Sequence, residues 1–160
     1  MIKQAPSTTR NYTFSSLPRI AMVVSRFNEK VTHSLSKAAQ AWLVEHNIPF
    51  QKENDLFYAP GAFELPLIAQ HLAKSGRYDG VVCLGCVIKG DTAHFEFISL
   101  SASLGIMQAS LSTEVPISFG ILTAYTFEQA KLRSLDNHEN KGREAVAACV
   151  ETVSLLQRTA

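Results

Sequence analysis

The chain has 160 residues and a formal charge of +1. That length suits one domain with its own core, and so even a charge gives no argument for nucleic-acid or membrane affinity. Apolar residues make up 46%, which excludes disorder, and no apolar run reaches the roughly 18 residues of a membrane span.

Residues 1–17 are polar, with Pro6, Ser7, Thr8, Thr9 and Arg10. They read as an extended or mobile arm, with 18–160 as the single domain. The opening MIKQAPSTTRNYTF has no apolar signal core, so the expected location is cytoplasmic. From Arg19, RIAMVVS is a short strand rich in β-branched residues, and Arg26-Phe27-Asn28 leaves it as a loop. Glu29 to His46 has helical spacing, with Val31, Leu35, Ala38, Ala39, Trp42 and Leu43 on one broad face. Asn47 stops it.

Phe50 to Tyr58 has charges at its centre and reads as a weaker strand nearer an edge. Ala59-Pro60-Gly61 is a turn signal. Phe63 to Lys74 is the next helix, with Pro66 in its first turn and Ser75-Gly76 ending it. Asp79-Gly80 leads into the apolar strand Val81 to Ile88. Phe95 to Leu111 is a third helix with Gly105 inside it. Val115 to Leu122 is a strand with Pro116 at its entry. Phe127 to Leu135 is a short helix, 136–139 a polar break, and Lys141 to Leu156 the last helix. Apolar strands alternating with amphipathic helices predict a parallel sheet covered on both faces, with right-handed crossovers.

The three cysteines are Cys83, Cys86 and Cys149. Cys83 and Cys86 form a C-x-x-C, but inside a strand they have opposite parity and point to opposite faces. They read as buried small hydrophobes rather than as a redox or zinc pair. No H-E-x-x-H occurs, and His33, His46, His71 and His138 read as surface residues with no metal-ligand spacing. No metal is expected.

Four loops leave the carboxyl ends of the expected strands, the edge where open α/β sheets bind ligands. Phe27, Glu64, Lys89 and His94 are therefore expected near one another. Lys89-Gly90-Asp91-Thr92-Ala93-His94 joins a buried strand to a helix start, whose free N–H groups suit an anion. His94 can exchange protons near neutrality or simply cap its helix. Gly90 allows close backbone approach, and Thr92 offers a hydroxyl. Phe27 is either a hydrophobic staple or a shelf for a flat ring. Glu64 either favours its helix dipole or accepts hydrogen bonds from a polyol. Arg133 and Lys141 are either solvated charge or part of a phosphate site.

Six separated motifs carry a resemblance: SRFNE (25–29), PGAFELP (60–66), GCVIKGDTAHF (85–95), VPISFGILT (115–123), EQAxxR (128–133) and NKG (140–142). In order and spacing, over about residues 19–156, the chain resembles the lumazine synthase family of riboflavin biosynthesis. The resemblance implies a flavodoxin-like three-layer α/β/α sandwich with a four-stranded parallel sheet and helices on both faces. It implies a transferase that condenses 5-amino-6-ribitylamino-uracil with 3,4-dihydroxy-2-butanone 4-phosphate, with no cofactor. It implies homopentamers or their multiples, icosahedral shells among them, with active sites between subunits. Association with riboflavin synthase is a further partner it raises.

Residue by residue, the resemblance puts Phe27, with Asn28 beside it, on the pyrimidine ring. It puts Ala62, Phe63 and Glu64 on the pyrimidine and ribityl chain, and Val87, Ile88 and Lys89 around the ring. Gly90, Asp91 and Thr92 become the phosphate-side loop and His94 the proton-transfer residue. Phe119 and Arg133 arrive from the neighbouring subunit, the first on the ring and the second on the phosphate, with Lys141 nearby. Two departures stand out. Lys89 occupies a place where the family commonly has arginine, and SLDNHE (134–139) replaces a glycine-containing stretch near subunit and pentamer contacts. The arm's Tyr12-Thr13-Phe14 is expected to add a strand to a neighbour's sheet. A pure flavin-binding protein or a shell-forming structural protein are the competing readings.

Overall fold

The computed structural model describes residues 11–160, so most of the expected arm lies outside the described residues. The sheet has four strands in the order β2-β1-β3-β4, all parallel. β1 (Ile20–Ser25) is buried along its whole length, as is most of β3 (Gly80–Ile88). These two form the middle of the sheet, which explains their nearly unbroken apolar runs. β2 (Leu56–Ala59) and β4 (Ile117–Ala124) are the edges.

Strand parity divides the core in two. Ile20, Met22, Val24, Val82, Leu84 and Cys86 pack against Leu35 and Trp42 of α1 (Glu29–Glu45) and Val146 and Val150 of the last helix. Ala21, Val23, Val81 and Cys83 pack instead against Leu65 and Leu72 on one helix and Ala102 and Ile106 on another. The result is the expected flavodoxin-like α/β/α sandwich, and Cys83 and Cys86 lie on opposite faces.

α1 ends where Asn47 was expected to stop it. Asn47 takes the left-handed conformation at φ 56°, and Ile48 N–H donates to Leu43 O at 2.9 Å, closing a Schellman turn. The Phe50–Tyr58 strand is shorter than its sequence suggests. Lys52–Asp55 forms one helical turn, α2, and only Leu56–Ala59 pairs with β1. Side chains account for the difference: Asp55 Oδ2 accepts from Gln51 N at 2.7 Å and Asn54 Nδ2 donates to Gln51 Oε1 at 2.7 Å. These local bonds compete with the ladder.

A 3₁₀ turn at Ala62–Glu64 leads into α3 (Leu65–Lys74). α4 (His94–Thr113) is one residue longer at its start than the pattern implied and stops at Glu114, which is left-handed. α5 (Phe127–Arg133) is capped by Thr126 and α6 (Lys141–Thr159) by Asn140, whose side chains accept from Gln129 N and Gly142 N.

Tyr12 and Phe14, expected on a neighbour's sheet, pack on their own chain. Tyr12 meets Trp42 edge-on with ring centroids 5.8 Å apart, and Ser154 Oγ donates to Thr13 O at 2.8 Å. His46, expected on the surface, is half-buried with its ring stacked 3.7 Å from that of Trp42.

α1 and α6 touch backbone to backbone. A Cβ built on Gly142 would stand 2.0 Å from the carbonyl oxygen of Leu35, so no other residue fits without moving a helix. Gly142→Ala should lower Tm by roughly 5–10 °C in calorimetry. Gly90→Ala, where a Cβ meets nothing within 4 Å, should leave Tm nearly unchanged. Equal melting of the two variants would contradict this packing.

Candidate active site

The adjacent strands β2, β1 and β3 bring three expected loops side by side. Arg26 N donates to Ala59 O at 3.0 Å, tying the loop after β1 to the end of β2. Phe27 and Glu64 meet over Gly61. A Cβ on Gly61 would lie 3.3 Å from Phe27 Cδ2 and 3.2 Å from Glu64 Oε2. Phe27 stands 71% exposed, so its ring is not packed as a hydrophobic staple and is open to a flat ligand. Asn28 Nδ2 donates to Cys86 O at 2.9 Å.

Ala62 is buried at the start of the 3₁₀ turn, Phe63 is exposed, and Glu64 is half-buried. Val87 and Ile88 end β3 half-buried and lean toward opposite cores. Gly90, Asp91 and Thr92 are exposed, and space beside Gly90 is open. His94 opens α4 on the surface, its N–H 3.4 Å from Thr92 Oγ1. This first group pairs an aromatic shelf and a carboxylate with a polar loop and a histidine at a helix start. Such a set can hold a flat polar ring and move protons.

Lys89 leans along α4. Its Nζ lies 3.2 Å from Glu96 Oε1 and 5.6 Å from the centre of the Tyr125 ring, while Phe95 sits 6.0 Å from the same ring. A hydrogen bond from its own backbone, followed by the Lys89 ammonium, holds the Glu96 carboxyl below its ordinary range.

The second group is elsewhere. Phe119, Arg133 and Lys141 line one cavity of about 300 Å³ along β4, together with Ser118, Thr123 and Glu144. Phe119 is opposite Cys83 in the ladder, in mid-strand. Ala124 ends β4, so Phe119 is about 16 Å below the carboxyl edge at roughly 3.3 Å per residue. Phe119 is thus set well down the sheet from the Phe27 loop, while the cavity's upper end at Thr123 is one residue from the carboxyl edge.

Arg133 closes the end of α5, with Nη1 donating to Gln129 O at 3.0 Å. Lys141, the first residue of α6, is ion-paired with Glu144 one turn on. Segment 134–139 does without glycine because buried Asn140 holds it: Nδ2 donates at 2.9 Å to both Ser134 O and Leu135 O. Two cations lining one cavity with an aromatic side chain suit a phosphorylated ligand, with Glu144 already paired to Lys141.

A family model described as 6,7-dimethyl-8-ribityllumazine synthase matches residues 18–157. The chain belongs to this family. It is 63% identical over 141 residues to 6,7-dimethyl-8-ribityllumazine synthase 1 of Caulobacter vibrioides, covering 88% of this chain and 92% of that protein. It is 46% identical to the synthases of Deinococcus deserti and Deinococcus radiodurans, in each case over 88% of this chain and 89% and 90% of theirs.

Residue patterns alone missed several neighbours of these candidate side chains. Glu144 pairs with Lys141 at i+3, a spacing that was available to find it. Glu96 and Tyr125 surround Lys89 across a loop, a proximity no local pattern encodes. No helix among the described residues is long and apolar enough to cross a membrane. Nor does any group of three or more His, Cys, Asp or Glu among them fit a metal ion.

The C-x-x-C is core packing. Burial pushes the Cys86 thiol up to about 11 and Cys149 up to about 12, and raises Cys83 further. Thiolates are the reactive form. At pH 8, folded protein should react with an aromatic disulfide reagent far more slowly than protein in denaturant, with three thiols titrating only after unfolding. Rapid labelling of Cys83 or Cys86 in the folded state would contradict this placement.

Proposed function

We propose that this chain is a cytoplasmic 6,7-dimethyl-8-ribityllumazine synthase. It would condense 5-amino-6-(D-ribitylamino)uracil with 3,4-dihydroxy-2-butanone 4-phosphate, releasing phosphate and water in the penultimate step of riboflavin biosynthesis. Family membership supports the reaction type. The observation that carries the reading is the division of the site: a ring shelf at Phe27, Gly61 and Glu64, and a cationic aromatic cavity at Phe119, Arg133 and Lys141.

Each half would serve both substrates, with Phe27 and Phe119 on the ring and the 90–92 loop and Arg133 on the phosphate. The aryl amine attacks the ketone and loses water to give an imine. Phosphate leaves by elimination, the enol tautomerises to a ketone, and the second nitrogen attacks that ketone and loses a second water to close the ring. The substrate's own amine makes the imine, so Lys89 need not act as a nucleophile. His94 serves the proton transfers from the mouth of the first half-site. Much of the rate comes from holding both substrates together.

A neighbour would join the half-sites. α4 supports that reading with an exposed apolar stripe of Phe97, Leu100, Leu104, Met107 and Leu111. Their spacing of 3 and 4 residues alternates as in a helix–helix seam. A homopentamer, alone or in a larger shell, would bury this stripe and bring Phe119 and Arg133 to the Phe27 side of the next subunit.

Purified protein mixed with both substrates should release phosphate and develop lumazine fluorescence. No product above the uncatalysed rate would reject the proposal. Arg133→Ala should raise KM for the phosphorylated ketone about ten- to a hundredfold, the worth of charge-assisted hydrogen bonds. An unchanged KM would remove Arg133 from phosphate binding. His94→Ala should lower kcat about a hundredfold or more, and full turnover would remove it from proton transfer.

A further inference from the structure

Asn28 has a conformation that needs explaining. It precedes α1, and its carbonyl accepts from Val31 N at 2.9 Å and Thr32 N at 3.1 Å. A residue in that place is normally extended and caps the helix with its side chain, as Thr126 and Asn140 do for their helices. Asn28 does neither. Its backbone is left-handed at φ 56° and ψ 48°, and its side chain makes no cap bond. Left-handed backbone is disfavoured for any residue with a Cβ and is tolerated best by asparagine among the common exceptions.

The side-chain amide is used across the sheet instead. Paired rungs between β1 and β3 end at Val24 and Leu84, whereas β3 continues beside β4 as far as Ile88 and Ala124. Beyond Leu84 the β3 backbone therefore loses its partner on the β1 side. Asn28 Nδ2 donates to Cys86 O at 2.9 Å, supplying the rung that the departing β1 backbone cannot.

That bond fixes the residue after Phe27 to the end of β3. The ring itself has little else to hold it, being 71% exposed. Beside it, even a methyl group on Gly61 would press on both the Phe27 ring and the Glu64 carboxylate. The height of the shelf is thus set by Asn28 and its distance from Glu64 by Gly61.

We infer that Asn28 is a positioning residue, whose left-handed backbone and cross-sheet amide bond present the Phe27 ring to a flat heterocycle. The inference rests on the synthase reading for the identity of that heterocycle and deepens it. Asn28 acts through Phe27 and not by its own contact with the ligand.

A double-mutant cycle tests this with Asn28→Gly, Phe27→Ala and the pair together. Glycine keeps the left-handed backbone accessible and deletes only the amide. The readouts are binding of 6,7-dimethyl-8-ribityllumazine by fluorescence titration, KM for each substrate, and Tm. Asn28→Gly should weaken product binding and raise KM for the pyrimidine about five- to tenfold, the loss of one hydrogen bond. KM for the phosphorylated ketone should change by less, within about twofold, because Arg133 is on another edge of the sheet and the Asn28 bond meets β3 at Cys86, four residues before the Gly90 loop. Combined with Phe27→Ala, the glycine should cost nothing more. Additive losses would overturn the inference, since Asn28 would then touch the ligand itself. So would unchanged product binding, or both KM values rising together with a fall in Tm. Wild-type protein that binds the product without turnover would reject the synthase reading and leave the cycle to judge Asn28. Wild-type protein that does not bind the product would overturn both.

Discussion

β1 and β3 are buried on both faces, and this burial organises everything else. A strand in that position has no polar face, so chemistry is displaced to the strand ends and to the open edges of the sheet. Both outlets are used. The carboxyl ends of β1, β2 and β3 carry Phe27, Glu64 and the loop to His94. The outer edge of β4 carries Phe119, with Arg133 and Lys141 from the helices beside it.

The two outlets are offset within one chain, because Phe119 is far down β4 from the carboxyl edge. The proposed site draws on both by being shared between neighbouring copies. The same chain leaves α4 with an apolar stripe that its own core does not cover. Under the proposed shared site, the divided groups and the open apolar stripe would both be answered by the same neighbouring copy. Backbones approach closely inside the chain: a Cβ on Gly142 would stand 2.0 Å from Leu35 O, and one on Gly120 2.7 Å from Cys83 O.

Much of this was legible from residue order. Helical spacing marked α1 and unbroken apolar runs marked the two central strands, because burial on one face or on both leaves its own trace in the residue order. The second strand was overlong because charge and amide side chains at 51–55 bond to one another, a competition that composition does not display. The carboxyl-end loops were legible because parallel topology collects them regardless of detail. The partners of Lys89 were not, since Glu96 and Tyr125 reach it only in three dimensions. Asn28 was placed beside the ring shelf, but its bond to Cys86 spans 58 residues and leaves no local signature. The family motifs named the chemistry that periodicity could only locate.

The central claim is that a working site takes half its groups from each of two subunits. Subunit complementation addresses it directly. His94→Ala chains and Arg133→Ala chains, each crippled alone, are unfolded together in equal amounts and refolded into mixed oligomers. With random assembly, roughly one quarter of the shared sites would combine an intact half from each parent, and activity should return to about that fraction of wild type. Mixed oligomers no more active than the separate variants would show that each chain carries its own complete site, and would contradict the account.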